Sequence, residues 1–535
     1  MQRLQQANKF HRFTRIIKSE CIFKAIAVPV GGLSLFALCL GCGNNSLGYV
    51  AGTNNPQVAV YTITPPKAGS VTIEFGKTTS YGLHTWTQQT PPGGGPVSIY
   101  VAGMLANTTY HMRADVQYGD GTTFTDTDHT FTTGSYPAAL IPQLKVTTTP
   151  GQTPQPGIEI LNPISAAGEV VATDLSGNVV WMYSQFLTGL GGAQWYAPKL
   201  LPDGNFVALA ALGSTAVLTP PLIAGAANLV REFDLAGNTI KQITMAQLNA
   251  RLAAANYNLT LQVFHHDVTV LPNGHWLVLA NTLKNVVLTG QTTPTQVLGD
   301  VIIDLDTNLK PVWVWNEFDH LDVNRHPWMF PDWTHTNAVV YSPDDGNIIV
   351  SIRHQNWVLK VDYNNGAGTG NILWHLGEGG DFKLVGGTDP TDWNYAQHAP
   401  SFTTSNTSGI FGLTLMDNGD DRMYPGGTTV TCGGTGTPAC YSTIPIFQIN
   451  ESAMTATFKF HQILPPALYN NFGGNAETLA NGDVEYDLCG LSSTNSEVLE
   501  VTNSSNPQTV WSMTSIKNYL YRAYRLPSLY PGVQW

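Results

Sequence analysis

A two-part phrase recurs from residue 137 to the C-terminus, and this repetition limits what the chain can fold into more than any other feature. One half is a turn followed by an apolar strand: Leu201-Pro202-Asp203-Gly204-Asn205-Phe206-Val207, Leu271-Pro272-Asn273-Gly274-His275-Trp276-Leu277, Ser342-Pro343-Asp344-Asp345-Gly346-Asn347-Ile348, Met416-Asp417-Asn418-Gly419-Asp420 and Leu479-Ala480-Asn481-Gly482-Asp483-Val484. The Asn/Asp-Gly pairs supply the positive φ that tight hairpins need. The other half closes on an aromatic outer strand, at 174–181, 233–238, 304–315, 361–374, 448–460 and 501–511. Each copy reads as a four-stranded sheet that can bury its faces only against its neighbours. Six copies therefore predict an all-β chain whose residues 137–535 form a six-bladed β-propeller.

Ahead of the repeat, residues 56–136 carry short alternating strands at 58–61, 71–75, 97–101 and 109–114. Met104-Leu105-Ala106-Asn107-Thr108-Thr109-Tyr110 resembles the tyrosine corner of fibronectin type III sandwiches, so a small fibronectin type III-like β-sandwich domain is predicted there. Hydrophobic residues at 43% against 12% charged, with 52 Gly and 33 Pro, suit a turn-rich sheet protein. One helix is predicted at 245–252, where Met245, Leu248 and Leu252 share a face. The insertions at 382–405 and 422–442 are expected to cover the channel mouth.

Residues 1–24 are basic and 25–41 are uncharged and apolar, a pattern that reads as a secretory signal over 1–41. Leu38-Cys39-Leu40-Gly41-Cys42 resembles a lipobox, which makes Cys42 the expected lipidation site and 42–55 a tether. The expected location is exported, either periplasmic or as a membrane-anchored lipoprotein. Cys432 and Cys440 flank a Gly-rich loop that an exported protein could close with a disulfide. A net charge of −12 repels nucleic acid and anionic lipid, so no nucleic-acid partner is expected, and membrane contact only through a lipid anchor. An anionic substrate would need a local cationic pocket.

Most of the 14 histidines lie beyond position 264. His266, His335 and His398 sit beside the inner strand of successive repeats, and Arg353 lies on the strand after His335, so a radial fold would gather them at one mouth. Three imidazoles admit a zinc site, but a fixed guanidinium beside them opposes a divalent metal and suits a sulfate, phosphate or carboxylate. Asn337 should share the strand face of His335 and could orient substrate. His265 is the alternative to its neighbour His266. His354 should point to the opposite face from Arg353, and 417–421 is read as a hairpin turn.

Phe264-His265-His266-Asp267-Val268-Thr269-Val270, Trp333-Thr334-His335-Thr336-Asn337, Ser351-Ile352-Arg353-His354-Gln355, Gln397-His398, Leu415-Met416-Asp417-Asn418-Gly419 and the terminal Tyr521-Arg522-Ala523-Tyr524-Arg525-Leu526-Pro527 together resemble the bacterial arylsulfate sulfotransferase family. The resemblance covers residue 150 onward. It implies a 3′-phosphoadenylyl-independent, ping-pong enzyme that moves a sulfuryl group from an aryl sulfate donor to a phenolic acceptor. His398 would be the transiently sulfated residue, supported by His266, His335 and Arg353; Asn337 and His265 are the substrate-binding candidates that the residues themselves suggest. It implies no cofactor and no metal, and it admits a homodimer. Two competing readings are a non-enzymatic, surface-anchored binding propeller and a metal-dependent hydrolase built on the histidines.

Overall fold

A computed structural model of the chain describes residues 46–164, 170–183, 187, 193–212, 228–425, 430–491 and 494–535. The signal expected at 1–41 and the lipidation site expected at Cys42 lie outside the described residues. One compact unit runs from Asn45 to Trp535. No helix among the described residues is long and apolar enough to cross a membrane.

The chain is all-β. From residue 144 onward, six sheets of four or five strands, antiparallel except for one edge strand, follow one another among the described residues, consistent with a β-propeller-like fold. One edge strand of each sheet is Ala193–Leu200, Leu261–Val270, Thr336–Ser342, His398–Phe402, Asn475–Thr478 or Leu520–Leu526. Lys199, Asp267, Val340, Ser401, Glu477 and Tyr524, one from each of these strands, line a single cavity of about 180 Å³. The six edges therefore share a channel, and a side chain at the same level of any of them can reach it.

The two ends of the repeat are joined in two places. The last strand, Leu520–Leu526, pairs with Ile158–Pro163, and Leu144–Thr148 pairs with Thr509–Ser515. Where the last strand pairs with Ile158–Pro163, the buried Arg525 meets Glu159, Glu485 at 2.8 Å and Glu500 at 3.0 Å. Burial and the neighbouring Glu159 push the Glu485 carboxyl well above its ordinary value in spite of Arg525, and removing the guanidinium would leave the buried acids without their counter-charge.

Residues 48–132 form two further sheets, one of Gly48–Gly52, Ala59–Ile63 and Val97–Val101, the other centred on Gly69–Gly76 and Thr109–Tyr118. They close on Tyr61, Ile73, Phe75, Ile99 and Met112. The Tyr110 hydroxyl accepts from the Leu105 N–H at 3.0 Å, the corner that the sequence suggests. Gly48–Gly52 corrects part of the expected tether. It pairs with Ala59–Ile63 along its whole length, since a backbone ladder needs no side-chain pattern to form. Asn55 fastens this region to the first two sheets of the repeat. Its amide donates to Met182 O at 3.0 Å and Leu235 O at 3.3 Å and accepts from the Tyr136 hydroxyl at 2.7 Å. Asn55→Ala is expected to lower stability by about 1–3 kcal/mol, read as a shifted denaturant midpoint.

The helix Met245–Ala254 opens on a Thr244–Gln247 capping box and buries Met245, Leu248 and Leu252, as their spacing predicts. Two expectations need correction. Lys383–Val385, assigned to a covering insertion, adds a parallel strand beside Thr455–Ile463 on the far edge of the fifth sheet. Met416-Asp417-Asn418-Gly419-Asp420 is no hairpin, because it follows Ile410–Met416 and leads into a long excursion before Thr443–Asn450. The same turn chemistry there serves the candidate site.

Candidate functional site

Three inner strands break register where the candidate histidines sit, between Phe264 and Val268, between Thr336 and Ala338, and between His398 and Ser401. His266 has φ of 57°, His335 of 51° and Ala399 of 48°. A bulge with a left-handed residue re-aims a side chain that regular pleating would send into the sheet, at a cost of about 1–3 kcal/mol for each non-glycine residue. The cost is offset by the packing that holds each kink.

The kinks bring His266, His335 and His398 together. The His266 ring centroid lies 4.8 Å from that of His335 and 6.5 Å from that of His398, and His335 stacks on His354 at 4.5 Å. Arg353 completes the group, although it sits in a 3-10 turn, Arg353–Gln355, and not on the strand. That turn is why the expectation for His354 fails. Strand alternation does not apply, and Arg353 Nη1 lies 3.0 Å from His354 Nε2 on the same side. Arg353 Nη2 donates to Asp420 Oδ2 and to Asn471 O, both at 3.1 Å, and the Trp328 ring lies 4.4 Å from its guanidinium carbon.

His398 is buried, and its tautomer follows from its neighbours. The Asn418 amide nitrogen donates to Asn470 O at 2.9 Å and Gly473 O at 3.1 Å, so its oxygen faces His398 Nδ1, 2.6 Å away. Nδ1 therefore carries the proton and Nε2 keeps its lone pair. Burial pushes the His398 pKa well below the ordinary histidine value; Arg353 pushes it down further, against the Asn418 hydrogen bond, and His335 and Arg522 add to the depression. His266 is likewise driven well down, first by burial and then by His335, His265, His398 and Arg522. Both rings are neutral at neutral pH.

Asn418 and Asp420 come from 417–421, the segment whose sequence predicts a hairpin turn. Asp417 makes the loop rigid, pairing with the buried Arg422 and accepting from Thr443 Oγ1 at 2.7 Å and Tyr395 N at 2.8 Å. Asp420 also accepts from the Tyr469 hydroxyl. Burial lifts its carboxyl to about 6 in spite of Arg353. Farther along the same excursion, Cys432 and Cys440 form a disulfide with Cα atoms 5.0 Å apart. Arg522, in the terminal Tyr521-to-Pro527 segment, is a second buried guanidinium. It donates to Asn337 O at 2.6 Å and lies 3.4 Å from Asp267.

Asn337 and His265 are placed differently from expectation. The Asn337 side chain is fully buried, donates to Gln397 O at 2.7 Å and accepts from Ala399 N at 3.4 Å. It grips the backbone on both sides of His398, which is a positioning role. His265 turns away from the cluster toward Asp300, 3.0 Å from its Nε2.

Asp332, His335 and His354 bring three ligand atoms within 4.8 Å of one another, a different trio from His266, His335 and His398. Their bonding suits hydrogen bonds better than ligation. His335 Nδ1 meets Asp332 Oδ2 at 2.6 Å, His354 Nδ1 donates to Asp332 O at 2.6 Å, and Arg353 occupies the other nitrogen of His354. A neutral imidazole with a free Nε2, set among fixed cations and further imidazoles, is equipped to attack an electrophile carried on an anion.

The family model described as Arylsulfotransferase (ASST) matches residues 143–522. No curated protein matches the chain. Among solved structures, the chain is similar to a puromycin hydrolase at 13% identity and a TM-score of 0.25, with 85% of this chain and 58% of that one covered. It is also similar to a cobalt-substituted Synechocystis ACO at 9% identity and a TM-score of 0.28, with 88% and 96% covered. At such scores neither likeness bears on fold or chemistry.

Proposed function

The chain belongs to the arylsulfotransferase (ASST) family, and from that premise we propose that it moves a sulfuryl group from an aryl sulfate to a phenol through a sulfohistidine at His398, without a 3′-phosphoadenylyl donor. The observation that carries this reading is the free Nε2 of His398, held by Asn418 beside Arg353. His398 Nε2 attacks sulfur as the bond to the donor oxygen breaks, and a phenol then takes the group from nitrogen. Sulfuryl transfer, like loose phosphoryl transfer, leaves most of the work to positioning and to charge on the peripheral oxygens, which Arg353 and His335 are placed to stabilise. His266 handles the phenolic proton.

The wider reading goes with it. The six sheets are the blades of a β-propeller behind a fibronectin type III-like domain, the protein is exported and anchored through Cys42 when lipidated, and it is able to form a homodimer. A single brief exposure to 4-nitrophenyl sulfate should add the mass of one sulfuryl group to the intact protein, and phenol should remove it. Transfer without any covalent species would overturn the sulfohistidine.

A pH expectation follows from the depressed pKa of His398. An ordinary imidazole is half protonated near pH 6.5, and its nucleophilicity falls below that value. The initial release of 4-nitrophenolate should stay level as the pH falls through this region, with its acid limb displaced lower. A limb centred on the ordinary histidine value would show that burial and Arg353 do not govern the nucleophile.

A further inference from the structure

His265 faces away from the reacting group, and its contacts there have no part in the transfer scheme above. Its Nδ1 lies 2.6 Å from Nδ1 of His266. Its Nε2 lies 3.0 Å from Asp300 Oδ1, an ion-pair distance off the hydrogen-bond line. The two rings meet edge to face at 4.9 Å, which consecutive residues of a regular strand could not do, and the left-handed backbone at His266 allows it. The other oxygen of Asp300 accepts from Thr334 Oγ1 at 2.8 Å and Thr336 N at 2.6 Å. His265, Asp300, Thr334 and Thr336 are all buried. Although burial pushes the Asp300 carboxyl up, His265 beside it and the two threonine donors hold it below its ordinary value, so it is a carboxylate. Glu317 behind it is a neutral acid at neutral pH, lifted to about 8 by burial and by Asp300.

We propose that His265, backed by the Asp300 carboxylate, stores the proton exchanged between the two half-reactions, and that His266 conducts it. The inference rests on the sulfohistidine reading and names the residue that serves His266. In the proposed relay the Asp300 carboxylate beside Nε2 and the 2.6 Å contact at Nδ1 let His265 start with a proton on each nitrogen, its Nδ1–H donating to His266 Nδ1, so that His266 presents an Nε2–H. In the first half-reaction the S–O bond to the donor breaks and the S–N bond to His398 forms. The departing phenolate takes the His266 Nε2 proton, and His266 Nδ1 takes the proton of His265 Nδ1. His265 is then neutral with its remaining proton on Nε2 toward Asp300, and His266 exposes a lone pair on Nε2. In the second half-reaction the acceptor phenol gives its proton to that Nε2 as its oxygen bonds sulfur and the S–N bond breaks. His266 returns its Nδ1 proton to His265.

With a donor whose phenol leaves protonated, no proton is gained or lost over the cycle, and His266 is uncharged at every resting stage. That agrees with the forces that drive its pKa far down. Without a partner, an imidazole so disfavoured as a cation would have no proton to give to a phenolate. Asp300 need not move a proton, only stabilise the imidazolium, so an imperfectly aligned contact suffices.

The test compares donors in His265→Gln and Asp300→Asn. The phenol of 4-nitrophenyl sulfate is acidic and leaves without a proton, whereas that of phenyl sulfate needs one. Both variants should keep the 4-nitrophenolate burst within about threefold, while sulfation of His398 by phenyl sulfate falls about 100-fold, the scale of lost general acid catalysis. The dependence of rate on leaving-group pKa should steepen. Equal losses with both donors would mark His265 as merely structural, and unchanged rates with both would make it idle; either overturns the proposal. A wild-type protein with no burst and no sulfated His398 overturns instead the reading beneath it. Should His265→Gln fail to fold, the near-isosteric Asp300→Asn carries the same comparison.

Discussion

His398→Asn is expected to lower sulfuryl transfer from 4-nitrophenyl sulfate to phenol by at least about 10⁴-fold, the scale on which losing a covalent nucleophile acts when other catalytic groups remain. His354 cannot replace it, because both of its nitrogens are bonded, and His266 and His335, whose Nδ1 atoms meet His265 and Asp332, use their Nε2 atoms in this scheme for the phenolic proton and the peripheral oxygens. Only His398 combines a fixed tautomer with burial beside Arg353. Asparagine keeps an amide near the old Nδ1 position, and thermal melting should change little. The intact variant should acquire no sulfuryl mass. Residual turnover near the wild-type level, with label on another residue, would transfer the nucleophile's role elsewhere.

Arg353→Gln is expected to cost about 10² to 10³ in kcat, the scale of a lost oxyanion donor, with a smaller change in KM. Its guanidinium is held on three sides by His354, Asp420 and Asn471 O and roofed by Trp328, so it is preorganised before substrate arrives. Breaking a buried ion pair ordinarily costs about 3–5 kcal/mol of stability through the charge left behind. Here the loss should be smaller, because the Asp420 carboxyl already sits near 6 and rises further without Arg353. The carboxyl then takes up a proton, and the variant folds with its Tyr469 contact intact. Arg353→Lys should recover part of the rate and not all of it, since an ammonium cannot span His354 and Asp420 as the planar fork does. A variant as active as the parent would remove Arg353 from the chemistry, and one that lost only substrate affinity would make it a binding group.

The architecture was legible because hairpins and outer strands leave local marks. Leu271 to Leu277 and Leu479 to Val484 carry turn residues whose allowed backbone angles admit little else, and both are hairpins in the structure. The same marks misled at Met416 to Asp420, where an Asn-Gly pair turns the chain toward the site and away from a partner strand. His354 misled for a related reason, since a two-residue period holds only while the strand continues, and it stops at Ile352.

By itself the sequence determined the sheet class, the repeat, the helix at 245–252 and the histidines and arginine that gather in the cluster. These depend on periodicity and residue chemistry within short windows. Only the tertiary structure decided which imidazole nitrogen is free, that His265 backs onto Asp300, that Asn337 grips the chain around His398, and that Asn418, Asp420 and Arg522 belong to the site. Each of those depends on contacts between residues far apart in the chain. The left-handed kinks that aim the rings are stable only because neighbouring sheets hold them, and no local preference announces a conformation that packing imposes.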